Sequence, residues 1–266
     1  MTSWLLRTAH ESLRACVELV LPSSCAACGE AARDPLCLGC RAEMRRLEAG
    51  AVEHPHGRAS PGPAGSGGGD GVPACWSALR LEGPVRVAVS AYKDGGRRDL
   101  GAVLAPVLAS AVGRAVREDP WLRRRRALRE PVLVVPVPPS PRARRRRGDD
   151  PVGDLVRRAV SLLDDDDLEV TTALRHTRRV EDQAHLGREA RYANLEGALE
   201  VRRGARPAIR SSVVIAVDDV LTTGSTLREA ARALGFGGAR HVCAATLAVR
   251  SSDLTATALV APREAG

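Results

Sequence analysis

From Pro73 onward the chain alternates short apolar runs with longer stretches in which apolar residues recur every three or four positions. A short apolar run between turn residues suits a strand buried on both faces, and a 3.6-residue recurrence suits an amphipathic helix. Strands are therefore predicted at Ala74–Leu81, Pro131–Val137, Val213–Val217 and His241–Val249. Helices are predicted near Pro84–Tyr92, Asp99–Val116, Pro151–Leu163 and Leu227–Leu234. Asp164–Asp167 reads as an acidic turn, and Trp121–Glu130, with Arg123 to Arg126, as an exposed helix end or loop. Such alternation predicts an α/β domain, a parallel sheet flanked by helices. Upstream, Trp4–Leu21 is apolar in part but broken by Arg7, Glu11, Arg14 and Glu18, so it reads as an amphipathic helix and not a membrane span. Residues 49–73 are dense in Gly, Pro, Ala and Ser and read as a flexible linker. The pattern divides the chain into 1–48, 49–73 and 74–266.

The run Val213–Leu227 carries the most chemistry. Five apolar residues lead to adjacent carboxylates, Asp218 and Asp219, expected where the strand ends. Thr222-Thr223-Gly224-Ser225-Thr226 follows, rich in hydroxyls, and a helix begins after it; Thr226 and Glu229 have the spacing of a capping box. The free N–H groups and positive dipole end of a helix start suit a phosphate. The two carboxylates suit ribose hydroxyls or a hydrated magnesium ion. No Gly-Lys-Ser/Thr is present, so this is not a Walker loop.

Composition changes the picture little. Hydrophobic residues make up 44% of 266, enough for a packed core, and aromatics only 2%, too few for a base-stacking platform. The net charge of +8 hints at polyanionic partners, but only one of 40 cationic residues, Lys93, is lysine. Near-exclusive arginine use alongside abundant Ala and Gly points to codon bias as a source of that basicity. Lys93 itself sits in a glycine-flanked turn, where a compact ammonium suits a phosphate; a chance survivor is the plainer reading.

Cys25 and Cys28, then Cys37 and Cys40, form two Cys-x-x-Cys pairs separated by eight residues. Four thiolates so spaced suit tetrahedral, structural zinc; the bland alternative is buried or redox-active cysteines. Cys16, Cys75 and Cys243 fit no ligand spacing and are expected to be core or incidental. An odd cysteine count with four clustered fits a reduced cytoplasm.

The Asp-Asp run resembles the signature of type I phosphoribosyltransferases, which bind phosphoribosyl pyrophosphate (PRPP). With the zinc module and linker before it, the chain resembles the ComF (GntX-like) competence proteins. That resemblance takes in Leu19-Val20-Leu21-Pro22, Tyr92-Lys93-Asp94-Gly95 and Val135-Pro136-Val137-Pro138. It continues through Gln183, Leu186, Arg188, Arg191, Asn194, Leu195, Gly197 and Ala198. Relatives commonly carry Arg-Gly-Phe-Asn-Gln where this chain has Arg147-Gly148-Asp149-Asp150-Pro151.

The resemblance implies a type I phosphoribosyltransferase-like sheet with a zinc-ribbon-like module, PRPP and magnesium as ligands, and a cytoplasmic role in DNA uptake, with single-stranded DNA and DNA-processing proteins as partners. Asp218 and Asp219 would hold the ribose. Thr222, Thr223, Gly224, Ser225 and Thr226 would hold the 5′-phosphate, and Ser140 and Arg142, in the loop after Pro138-Pro139, the pyrophosphate. A proline-stiffened turn explains that loop as well. Arg144–Arg147 suit a pyrophosphate clamp, a DNA-facing surface or a solvated basic face alike. Arg175–Gly197, with Arg178, Arg179, Gln183 and Arg188, suits either a segment covering the ligand or an exposed connection. Beside the transferase stands a second class, a ligand-sensing or DNA- or protein-binding module without turnover.

Overall fold

The computed structural model describes residues 24–49, 51–52, 71–177 and 197–250; the Trp4–Leu21 helix and the stretch holding Arg178, Arg179, Gln183 and Arg188 lie outside them. The central sheet contains β1 (Ala51–Val52), β2 (Cys75–Arg80), β3 (Val132–Pro136), β4 (Leu168–Val170), β7 (Val213–Leu221) and β8 (His241–Val249). Its order is β1-β2-β8-β7-β3-β4. β1 is antiparallel to its neighbour and the other five strands are parallel. β5 (Leu174–His176) and β6 (Leu199–Val201) form a separate antiparallel pair.

Strict side-chain alternation divides the core into two layers, as a sheet covered on both faces requires. Val132, Val134, Val213, Ile215 and Val217 face one cluster, with α2 (Gly83–Lys93), α3 (Gly101–Glu118) and α6 (Pro151–Ser161) over it. Leu133, Val135, Val137, Val214 and Ala216 face the other, covered by α8 (Ser225–Phe236), the β5–β6 pair and α7 (Arg206–Ile209). Proline occupies the first turn of α2, α4 (Pro120–Ala127), α5 (Pro141–Arg147), α6 and α7. Its missing N–H costs nothing where helical donors are unpaired anyway. α3 is long and apolar enough to cross a membrane, but most of it is buried inside the molecule, where it packs against β2 and β8.

Three differences from the sequence expectation have physical causes. β7 does not stop at Val217 but runs through both aspartates to Leu221, because β8 continues beside it, pairing Val220 with Ala248 and Leu221 with Val249. β4, β5 and β6 were not anticipated; each is three residues long, too short for a period to register. The capping box does not form. α8 starts at Ser225 with Gly224 as its cap, and Glu229 turns inward, where its carboxylate accepts the Leu199 N–H at 2.8 Å and pairs with Arg232 at 2.6 Å.

Both ends of the 49–73 stretch are packed. Ala49 N–H donates to Ala78 O at 2.8 Å, β1 pairs with β2, and Val72 is 2% exposed.

Candidate functional site

In a parallel sheet, ligands are taken at the carboxyl ends of the strands, and here β3 ends beside Val217, just before the aspartates of β7. Val137 N–H donates to Val217 O at 2.8 Å, so the Pro138–Arg142 loop leaves the sheet next to Asp218. The structure thus sets the start of the Pro138–Arg142 loop beside the aspartate stretch, about 80 residues away in sequence. Within them the residues differ in role. Ser140 caps α5, accepting the Ala143 N–H at 3.2 Å, and Arg142 is exposed in the first turn of that helix.

The carboxylates form a charged cluster with the single lysine. Asp218 Oδ1 accepts the Asp219 N–H at 2.8 Å. Lys93 Nζ lies 2.6 Å from Asp219 Oδ2. Burial, and then the charge of Asp219, push the Asp218 carboxyl up to about 7, against the pull of Lys93. Burial also opposes the charge on Lys93, but Asp219, Asp218 and Asp94 outweigh it and hold the ammonium above its ordinary value.

Lys93 is placed by the end of α2, which is anchored on both sides. Tyr92 Oη donates to Pro151 O at 3.0 Å, and Asp94 Oδ1 accepts from Arg146 at 2.5 Å and Arg147 at 2.8 Å. Two of the four arginines in the 144–147 run therefore hold the lysine turn in place. Arg98 does similar work, bridging Asp149 at 2.6 Å.

The hydroxyl loop is preformed. Gly224 has φ +74°, and a Cβ there would collide with Val72 Cγ2, so only glycine fits without strain. Thr223 Oγ1 and Ser225 Oγ share a hydrogen bond of 2.7 Å, both residues buried, while Thr222 and Thr226 are more open. Gly224 caps α8 with no side-chain hydrogen bond, and Ser225 N–H has only a long contact to Thr223 Oγ1 at 3.5 Å; first-turn N–H groups without an intrahelical partner suit an anion.

One residue escaped the sequence reading. His176, at the end of β5, has Nε2 3.3 Å from Pro138 O, at the start of the Pro138–Arg142 loop. Burial, partly offset by the Pro138 and Pro139 carbonyls, holds its pKa below the ordinary histidine value. With Nε2 donating to that carbonyl, Nδ1 is a buried acceptor with no partner among the described residues. A lone histidine in a three-residue strand carries no spacing signal that could have found it.

Two hollows of about 300 and 560 Å³ open around Phe236, at the far end of α8 from the hydroxyl loop.

The four cysteines come together as expected. Their Sγ atoms all lie within 4.8 Å of one another, and Cys28 and Cys37 are 3.7 Å apart. A zinc tetrahedron with Zn–S of about 2.3 Å has an edge of about 3.8 Å, so the donor set fits zinc-ribbon-like coordination. Cys37 N–H points at Cys25 Sγ (3.3 Å) and Cys40 N–H at Cys37 Sγ (3.5 Å). Burial disfavours the Cys25 thiolate, but N–H groups of Cys28, Cys37 and Ala27 outweigh it and bring its pKa to about 6. Cys37 also caps α1 (Leu38–Arg46), whose Cys40 and Met44 are buried.

Residues 159–257 match the model of the phosphoribosyl transferase domain family. No curated protein matches the chain. The matched stretch contains β4 to β8, both aspartates and the whole hydroxyl loop. Residues 159–257 are thus similar to a phosphoribosyl transferase domain, and the five parallel strands flanked by helices, with the cysteine cluster beside them, form a type I phosphoribosyltransferase-like fold with a zinc-ribbon-like module.

Proposed function

We propose that the protein binds PRPP at the carboxyl ends of β3 and β7 and transfers its phosphoribosyl group to an acceptor. The observation that carries this is the Asp218–Asp219 pair followed by the Gly224-wedged loop at the start of α8. The 5′-phosphate sits on the N–H groups of that first turn, with Thr222 and Thr226 as the accessible hydroxyls. Asp218 and Asp219 accept from the ribose hydroxyls, and Lys93 moves with Asp219 as a cation facing the phosphates. Ser140 and Arg142 lie at the pyrophosphate end. As the anomeric C–O bond breaks, its electron pair leaves with pyrophosphate, and an acceptor lone pair forms the new bond. Fixed N–H dipoles and the lysine stabilise the departing anion electrostatically.

The oxygen donors here suit magnesium, which would neutralise pyrophosphate charge. Lys93 already engages Asp219, so Asp218 is the carboxylate left to hold the ion, directly or through water. The zinc-module resemblance extends the reading to a ComF-like role in DNA uptake, with single-stranded DNA and DNA-processing proteins as partners in the cytoplasm.

A second reading, a PRPP sensor without turnover, draws support from Phe236. The only phenylalanine lies at the end of α8 opposite the loop, where it cannot stack an acceptor base beside the ribose. Calorimetry with PRPP and magnesium tests the site: Asp218→Asn/Asp219→Asn should abolish binding, and equal binding by both proteins would overturn the assignment. Pyrophosphate release across a panel of nucleobases then separates transferase from sensor.

A further inference from the structure

Asp119, His241 and Cys243 meet at the amino end of β8, on the opposite side of the sheet's length from the aspartate pair. Their ligand atoms all lie within 4.8 Å of one another. Asp119 and Cys243 are 3% and 0% exposed, and the His241 side chain is 11% exposed. The β7–β8 register places His241 beside Val213 and Thr246 beside Asp218. Five residues of strand separate the two positions, about 17 Å, so the cluster is no part of the ribose site.

Part of the cluster has a structural explanation. Asp119 Oδ1 caps α4, accepting Trp121 N–H at 2.8 Å and Leu122 N–H at 3.1 Å, and Oδ2 lies 3.0 Å from His241 Nε2. Capping and pairing account for the carboxylate and the imidazole. They do not account for a thiol placed against both, and Cys243 Sγ has no hydrogen-bond partner among the described residues. A buried cysteine used only for packing needs no imidazole and carboxylate within reach of its sulfur.

We propose that Asp119, His241 and Cys243 form a second zinc site, distinct from the four-cysteine module. One carboxylate, one imidazole and one thiolate are a borderline-soft donor set that suits Zn²⁺ and leaves one of four positions for water. The 3.0 Å separation of Asp119 Oδ2 and His241 Nε2 is about 0.4 Å short of the roughly 3.4 Å between two tetrahedral donors each about 2.0–2.2 Å from a common ion, so a small opening of the pair admits the metal. On binding, the Cys243 thiol proton leaves to solvent as the Zn–S bond forms. His241 ligates through the Nε2 lone pair with its proton on Nδ1. Entry is from the His241 side, the more exposed of the three, next to the Trp121 ring stacked on the imidazole at 5.6 Å. Bound zinc ties the start of α4 to the middle of the sheet.

The test is zinc content of the full chain after saturation with zinc and desalting. Two equivalents per chain are expected in the wild type, and one in Cys243→Ser and in His241→Gln. Cobalt substitution provides a second readout: the ion should quench Trp121 fluorescence in the wild type and lose that quench in both variants. His241→Gln keeps the assignment decidable if the serine variant folds poorly. One equivalent in the saturated wild type would overturn the proposal, as would zinc content and quench unchanged in a folded His241→Gln.

Discussion

Asp218 responds to pH in a direction set by its burial and by the charge of Asp219. Its carboxyl titrates near 7 in the folded chain and at about 3.9 when unfolded. The folded state therefore holds this proton more tightly. Its stabilising effect is complete below the unfolded value and is lost as pH rises through about 7. The ligand-free protein should lose stability between about pH 4 and pH 7, with Asp218→Asn flatter across that range and more stable at the upper end by of order 1–2 kcal/mol. Urea unfolding at the two pH values measures this, and parallel curves would contradict it. Lys93 gives a complementary test. Lys93→Met leaves the Asp219 carboxylate buried without its partner and should cost about 1–3 kcal/mol, below the range for fully buried pairs because Lys93 is partly exposed. Adding Asp219→Asn should recover most of that loss in a double-mutant cycle. The lysine was conspicuous in the chain as the only one of its kind; its partner was not, since Asp219 is far away in sequence and meets it only through the α2 turn.

At the scale of elements, the hydroxyl loop stands on Gly224. Gly224→Ala adds a left-handed penalty of about 1–2 kcal/mol to the collision with Val72. Expected is a lower thermal midpoint together with weaker PRPP binding; Val72→Ala in the same chain should restore part of the stability. A Gly224→Ala protein as stable as wild type would contradict the wedge. The strand, loop and helix start were legible as a pattern because the apolar run and the Gly-hydroxyl cluster are local signals. The function of Glu229 was not. Its spacing from Thr226 matches a cap, yet a better partner, Leu199 N–H on β6, exists only once the chain has folded back. His176 and β5 were hidden for the same reason, being defined by what they touch.

For the whole molecule, the cysteine module is not an appendage hung on the α/β domain. Leu36, Cys40 and Met44 belong to the same buried cluster as Trp76, Val85, Val89 and Leu104, and Arg97 donates to Ser24 O at 3.2 Å. Zinc removal by chelation should therefore lower the unfolding temperature of the entire chain in one transition; a separate early transition of the module would contradict this. Part of the basicity prominent in composition is engaged within the fold, with Arg98, Arg125, Arg147 and Arg232 all ion-paired. Net charge alone could not show which arginines were engaged in ion pairs and which stood free to meet a polyanion. The Gly224 wedge has a kinetic consequence. On the proposed reading, a loop braced by Val72 and by its own hydroxyl bridge would lose little conformational freedom on capturing a phosphate. Encounter at that loop needs no folding step, so differences in affinity among phosphorylated sugars should lie mainly in how fast each one leaves.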